Sequence, residues 1–305
     1  MHILVTGGAG FIGSHLVDAL VNKGHQVKVL DNLFRGKTDH IQSHISEGRI
    51  EFLKADIREY SLLPEICGNV DLIFHLAAQS NVIGAVEDLD YSFESNVIGT
   101  FNMLKAARQS GVERFIFTSS REVYGEARYL PVDENHMLNA KNSYGASKVA
   151  GEKYCQVFQN MYPIEVAVVR LANVYGRRDF DRVIPIFLNQ ALKNEDISIF
   201  GGAQLIDFIS VEIVVQVLLA LAETGKMPDE PVNIGSGKGT NLFDLAQKII
   251  HLTDSKSKIK VEPARSAEVV QFTAEITRFK KYFGIALPDD PLYLLSKMLP
   301  EEDSI

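Results

Sequence analysis

The chain has 305 residues, a formal net charge of −8, 46% hydrophobic and 23% charged residues. That suits a soluble protein of one large or two smaller domains with a sizeable core, and the acidic balance argues against non-specific nucleic-acid binding, which needs basic surface. Two cysteines, Cys67 and Cys155, without a CxxC pair or a Cys/His cluster, argue against a zinc site and for a reduced cytoplasmic setting.

Met1 leads almost directly into an apolar run, so no signal peptide is expected. The run Ile3, Leu4, Val5 reads as a buried parallel strand. Thr6-Gly7-Gly8-Ala9-Gly10-Phe11-Ile12-Gly13 follows. Residues 14–23 then carry Leu16, Val17 and Leu20 at helical spacing and stop at Asn22-Lys23-Gly24. The spaced glycines therefore lie on a strand-to-helix turn. Gly7 permits the turn, Gly10 lets backbone N–H groups approach a pyrophosphate, and Gly13 lets helix and strand pack closely. The helix N-terminus offers its positive end to that anion. A second strand at 27–30 ends in Asp31, about 20 residues past the glycines, where a carboxylate suits the adenosine ribose. Asp31 would repel a 2′-phosphate, so NAD(H) is expected over NADP(H). Arg35 is the neighbouring residue that would suit that phosphate.

Further strands are expected at 50–53, ending at Asp56, at 71–78, at 115–118 and at 166–169, with helical pieces at 62–67 and 96–110. Repeated β-α-β units predict an α/β fold with a doubly wound parallel sheet. Ligands bind such sheets beyond the carboxyl ends of the strands, where Asp31, Asp56, Ala77, Ser119 and Ser120 fall. Tyr144-Gly145-Ala146-Ser147-Lys148 opens another helix, supported by Val149, Tyr154, Val157 and Phe158. Tyr144 and Lys148 then share one face, a turn apart. A nearby ammonium lowers a phenol's pKa, so Tyr144 is expected to act as a base toward an alcohol. Ser119 or Ser120, with Ser120 preferred, would meet the reacting oxygen. Past about residue 171 turns cluster, and a smaller substrate-binding lobe is expected. The division is 1–172 for the dinucleotide and 173–305 for the substrate, with part of 207–222 packing back on the first. The apolar segment 213–222 is too short to span a bilayer. Residues 301–305 read as a solvated tail.

These stretches resemble the extended short-chain dehydrogenase/reductase family, and within it the nucleotide-sugar epimerases and dehydratases. The matching runs are TGGAGFIGSHL, Asp31-Asn32, HLAAQ from His75, NVIGT from Asn96, SSREVYG from Ser119, SYGASK from Ser143, RLANVYG from Arg170 and NIGSG from Asn233. The resemblance implies a Rossmann domain holding NAD among Gly7, Gly10, Phe11, Ile12, Gly13, Asp31, Asn32, Asp56, Ile57, Leu76, Ala77, Ala78, Gln79, Asn96 and Ser119. It makes Tyr144 the base, Ser120 its partner, and Lys148 the residue on the nicotinamide ribose. Gln79, Asn173 and Arg265 are implied to contact a nucleotide-diphosphate sugar.

Three positions depart from the family pattern. Ile206 replaces an arginine, so Arg177, Arg178 or Arg182 is expected to supply the missing charge. Gly176-Arg177-Arg178 replaces Gly-Pro-Arg. Glu122 stands where sugar dehydratases and decarboxylases carry a catalytic glutamate near the sugar's C5. Its other reading is a carboxylate paired with Arg121 or Arg114. The expected activity is nucleotide-sugar 4-epimerisation through a transient 4-keto sugar. A 4,6-dehydratase, a uronic acid decarboxylase and a non-catalytic NAD-binding regulator are the alternatives. The resemblance also implies a homodimer formed through the helix of Tyr144. Gly151 and Cys155 on that helix belong either to such a contact or to the monomer's interior. No metal, nucleic acid or membrane is expected.

Overall fold

The apolar run at the start of the chain becomes a central strand of a seven-stranded parallel sheet in the computed structural model, which describes residues 1–300. The tail expected at 301–305 lies outside the described residues. The strands are β1 (His2–Thr6), β2 (Gln26–Asp31), β3 (Ile50–Lys54), β4 (Leu72–His75), β5 (Arg114–Ser120), β6 (Glu165–Leu171), β7 (Asn173–Tyr175), β8 (Ile197–Phe200), β9 (Leu205–Ser210), β10 (Val232–Ile234), β11 (Gly239–Asn241), β12 (Ile259–Glu262) and β13 (Gln271–Phe272). The main sheet runs β10-β6-β5-β4-β1-β2-β3. Its strand order reverses between β1 and β4, which opens a crevice at their carboxyl ends. Ile3, Leu4 and Val5 are fully buried, because apolar layers cover both faces of the sheet.

The division at 172/173 is not a clean cut. β10 completes the main sheet beside β6, with Val232 opposite Val169, and so covers an apolar edge that would otherwise be open. The helix Val211–Glu223 also packs on the first helix, Phe11–Asn22. The remaining strands build smaller sheets, β11-β9-β13 with β7 beside β9, and β12-β8. They enclose a separate core around Phe187, Leu188, Phe208 and Leu245.

Local boundaries shift for physical reasons. β4 stops at His75, so Leu76, Ala77 and Ala78 leave the sheet as a loop. The helix expected from Asn96 begins at Gly99, after a wide turn over Glu94–Ile98. The helix Ser143–Met161 is capped by Asn142, whose Oδ1 accepts from Gly145 N at 2.8 Å. A Cβ on Gly151 would lie 2.5 Å from the Phe117 ring, and Cys155 is fully buried. Both residues therefore belong to the monomer's interior. Tyr154, Val157 and Met161 point the other way and are 39%, 45% and 65% exposed. Among the described residues no helix is long and apolar enough to cross a membrane.

Candidate active site

The glycine turn is shaped by close approach. Gly7 has φ +72°, and a Cβ there would meet Ala77 N at 2.8 Å, so the turn and the end of β4 can touch only through glycine. A Cβ on Gly13 would run into the carbonyl oxygen of Gly7. Gly10 caps the first helix without a side chain. The first-turn N–H groups of that helix are left for an anion. Asp31 ends β2, where its Oδ2 accepts from Ala9 N at 3.0 Å and its Oδ1 from Leu33 N at 2.8 Å. Burial pushes its carboxyl above the ordinary value, against the pull of those two amides. Asn32 Nδ2 donates to Asp56 Oδ2 at 2.9 Å. Burial pushes Asp56 up, but hydrogen bonds from Arg58 and Asn32 outweigh it and hold the carboxyl below its usual range.

Arg35 is engaged elsewhere than with a 2′-phosphate. Its Nη2 lies 2.7 Å from Asp181 Oδ2, which also accepts from Asn81 Nδ2 at 3.0 Å. The Phe180 ring lies 5.4 Å from the Arg35 guanidinium and 5.2 Å from Lys37 Nζ. Three loops thus meet over the crevice. No sequence signal announces this strap, because its members come from separate crossovers.

One cleft of about 800 Å³ runs from the glycine turn to the second lobe. It is lined by Gly7, Gly10, Phe11, Ile12, Gly13, Asp31, Asn32, Asp56, Ile57, Leu76, Ala77 and Ala78 at the dinucleotide end. Ser119, Ser120, Glu122, Tyr144, Lys148, Asn173, Arg182 and Arg265 line the rest of it, among other residues. Gln79, Asn96 and Arg178 are not brought to its wall. Asn96 instead clamps the Gln79 backbone, accepting from Gln79 N at 2.7 Å and donating to Gln79 O at 3.1 Å. It also donates to Ser147 Oγ at 3.0 Å, which ties the loop after β4 to the Tyr144 helix. Arg178 has a left-handed backbone, φ +68°, and its side chain meets Asp18 at 2.8 Å on the first helix.

Tyr144 is 9% exposed, with the Ser120 hydroxyl near it in the cleft wall. Burial pushes its phenol up to about 12, against the pull of Arg182's charge and the Ser120 hydroxyl. The lowering expected from Lys148 is not seen in the free protein. Lys148 Nζ donates to Thr118 O at 2.9 Å and sits 4.9 Å from the centre of the Phe117 ring. Burial lowers its own pKa to about 8. The free protein thus holds a neutral phenol at neutral pH, and a further cation against it is needed to make it a base.

The two serines separate. Ser119 Oγ donates to Glu152 Oε1 at 2.5 Å. Glu152 is itself buried against Arg170 at 2.7 Å. Ser120 Oγ accepts from Glu122 N at 3.2 Å and is the hydroxyl near the Tyr144 phenol. Glu122 pairs with Arg121 at 2.9 Å and accepts from Asn142 Nδ2 at 2.7 Å. Arg114 donates instead to the carbonyls of Ala222 and Thr224.

In the second lobe Asn173 Oδ1 is buried without a hydrogen-bond partner among the described residues, a vacancy for a donor from a ligand. Arg182 meets Asp179 at 2.8 Å. The Arg265 guanidinium lies 3.7 Å from the centre of the Phe200 ring and pairs with Glu268 at 3.1 Å. Ile206 sits in the cleft wall and is 7% exposed.

A dinucleotide turn and a Ser120–Tyr144–Lys148 set that open into one crevice are the arrangement of a dinucleotide-dependent short-chain dehydrogenase/reductase enzyme. The chain belongs to the NAD dependent epimerase/dehydratase family, whose sequence model matches residues 3–235. It is 40% identical over 284 residues to a putative UDP-glucose 4-epimerase of Methanocaldococcus jannaschii, covering 90% of each chain. It is 32% identical to UDP-glucuronic acid decarboxylase 4 of Arabidopsis thaliana, over 93% of this chain and 64% of that one. The crystal structure of UDP-glucose 4-epimerase from Thermotoga maritima with UDP-glucose superposes with a TM-score of 0.92 at 32% identity, over 98% of this chain and 97% of that one. NAD, the cofactor in the family's name, fits the residues present: an uncapped helix turn for the pyrophosphate and Asp31 for the ribose.

Proposed function

We propose that this protein is an NAD-dependent nucleotide-sugar 4-epimerase. The observation that carries the reading is that Tyr144, Ser120 and Lys148 line one cleft with the glycine turn, which offers a proton acceptor and a hydroxyl to a bound sugar. When bound, NAD would supply the hydride acceptor for C4, the donor for the return, and positive charge that favours the phenolate. Tyr144 takes the proton of the 4-hydroxyl while Ser120 hydrogen-bonds the same oxygen as it becomes a carbonyl. Lys148 holds positive charge one turn along the helix and favours the phenolate over the phenol. Once the 4-keto sugar has turned over in the cleft, Tyr144 returns the proton and C4 is inverted without net oxidation.

Asn173, Arg182 and Arg265 are the groups proposed for the sugar and diphosphate. The two guanidinium forks suit phosphate oxygens and stand in for the arginine that Ile206 lacks. Asp31, with Arg35 occupied by Asp181, supports NAD over NADP. A 4,6-dehydratase or uronic acid decarboxylase is the second reading, favoured by the presence of Glu122 in the same cleft.

The test is turnover of UDP-glucose, UDP-N-acetylglucosamine and UDP-glucuronic acid, with products resolved by NMR. The expected product has unchanged mass and is inverted at C4. A product lighter by water or carbon dioxide supports the second reading. Tyr144→Phe should lower kcat by about 10²–10⁴-fold, and full activity in that variant refutes the mechanism.

We also propose a homodimer that covers the exposed apolar face of Phe101, Tyr154, Val157 and Met161, in the cytoplasm, where two unpaired cysteines stay reduced. Sedimentation at twice 33.9 kDa is the expected result, and a monomer at high concentration rejects it.

A further inference from the structure

We propose that Asn142 is a positioning residue that protects the C5–H bond of the oxidised sugar, by holding Glu122 still while capping the Tyr144 helix. The proposal rests on the 4-epimerase reading above.

Asn142 makes three hydrogen bonds that leave its amide only one orientation. Oδ1 accepts from Gly145 N at 2.8 Å. Nδ2 therefore points the other way, where it donates to Glu122 Oε2 at 2.7 Å and to Ala267 O at 3.1 Å. Flipping the amide would set N–H against N–H at the helix and oxygen against oxygen at both acceptors. The second carboxylate oxygen of Glu122 is taken by Arg121 Nη2 at 2.9 Å. The Glu122 backbone is pinned as well, its N–H donating to Ser120 Oγ at 3.2 Å. Glu122 is 5% exposed. It lies in the cleft wall close enough to Tyr144 for its charge to act on the phenol. Both of its oxygens are held, so these bonds fix the side chain in place.

The chemistry makes that restraint matter. Once C4 is oxidised, the new ketone makes the C5–H bond acidic. A mobile carboxylate beside it would accept the C5 proton, and the C5–H electron pair would move into an enolate. From there the carbon either takes a proton back from solvent or expels its C6 hydroxyl, which leaves as water with the proton that the carboxylate took from C5, forming a C5–C6 double bond. A 4-epimerase needs neither outcome. A restrained Glu122 leaves the C5–H bond intact until the hydride returns to C4.

The experiment is turnover of the holoenzyme in D₂O on whichever of UDP-glucose, UDP-N-acetylglucosamine or UDP-glucuronic acid it inverts, reading deuterium at C5 per C4 inversion by NMR. Asn142→Ser keeps a capping acceptor and removes the donor to Glu122. Arg121→Gln releases the other carboxylate oxygen and serves if the first variant fails to fold. The wild type should show only trace deuterium at C5. Each variant should show at least about 100-fold more than the wild type, the low end of what a positioned base contributes. Adding Glu122→Gln to Asn142→Ser should remove the signal. Deuterium at C5 in the wild type at the level of the variants overturns the proposal. So do variants that invert C4 without C5 exchange, and so does loss of turnover in both variants with no exchange. A wild type that inverts C4 of none of the three sugars defeats the epimerase reading itself, and the proposal with it.

Discussion

Replacing Lys148 with methionine should stabilise this protein at neutral pH while abolishing its activity. The Lys148 side chain is 3% exposed and keeps two polar or polarisable neighbours, the Thr118 carbonyl at 2.9 Å and the Phe117 ring. Burial takes its pKa from 10.5 to about 8. At 1.36 kcal/mol per pH unit, that depression corresponds to about 3 kcal/mol of unfavourable charge burial. Methionine keeps the stem's packing but leaves the Thr118 carbonyl unpaired, at a cost of about 1–2 kcal/mol. The variant should therefore be more stable by about 1–2 kcal/mol near neutral pH. The pH dependence gives a second, sharper check. Between about 8 and 10.5 the unfolded chain binds a proton that the folded chain has released, so wild-type stability rises with pH across that window. The variant's advantage should shrink there and reverse above it. Urea unfolding of nucleotide-free protein at neutral pH and through that window reads both effects. A variant less stable than the wild type at neutral pH, or an advantage that does not change with pH, refutes the reasoning.

Other outcomes follow from the same geometry. Asp31→Ala should weaken NAD binding by about 10–100-fold, the loss of one or two hydrogen bonds to a charged group, and narrow its preference over NADP. Equilibrium titration with both cofactors reads this, and unchanged selectivity rejects the ribose role. Glu152→Ala leaves Arg170, 4% exposed, without its partner and should lower stability by about 3–5 kcal/mol, measured by urea unfolding. An effect under about 1 kcal/mol would mean that the site admits water or a substitute anion. Ile206→Arg should tighten UDP binding about tenfold by calorimetry, the worth of one more charge-assisted contact. No change would mean that Arg182 and Arg265 already meet the phosphates fully.

Local chemistry made part of this protein legible without coordinates. Ile3 to Val5 had to be a buried strand because nothing polar interrupts them, and the glycines that follow permit a turn that other residues forbid. Tyr144 and Lys148 had to share a face because a helical turn spaces them so. These readings depend on steric and periodic rules that act over a few residues, and the sheet and the dinucleotide turn followed from them. What could not be read depends on groups far apart in the chain. Ser119 and Ser120 are neighbours of one type, yet Ser119 donates to Glu152 while Ser120 accepts from the Glu122 amide. Arg178 and Arg182 looked equivalent until one left-handed residue sent Arg178 to Asp18. Gly151 and Cys155 resolved as interior only against the Phe117 ring and the sheet. The strongest reversal concerns Tyr144. Spacing alone put a cation beside it and implied a lowered pKa, whereas burial raised it. Which residues stand near one another is often written in their order, but their charge states follow from how much water the fold removes, and only the tertiary structure decides that.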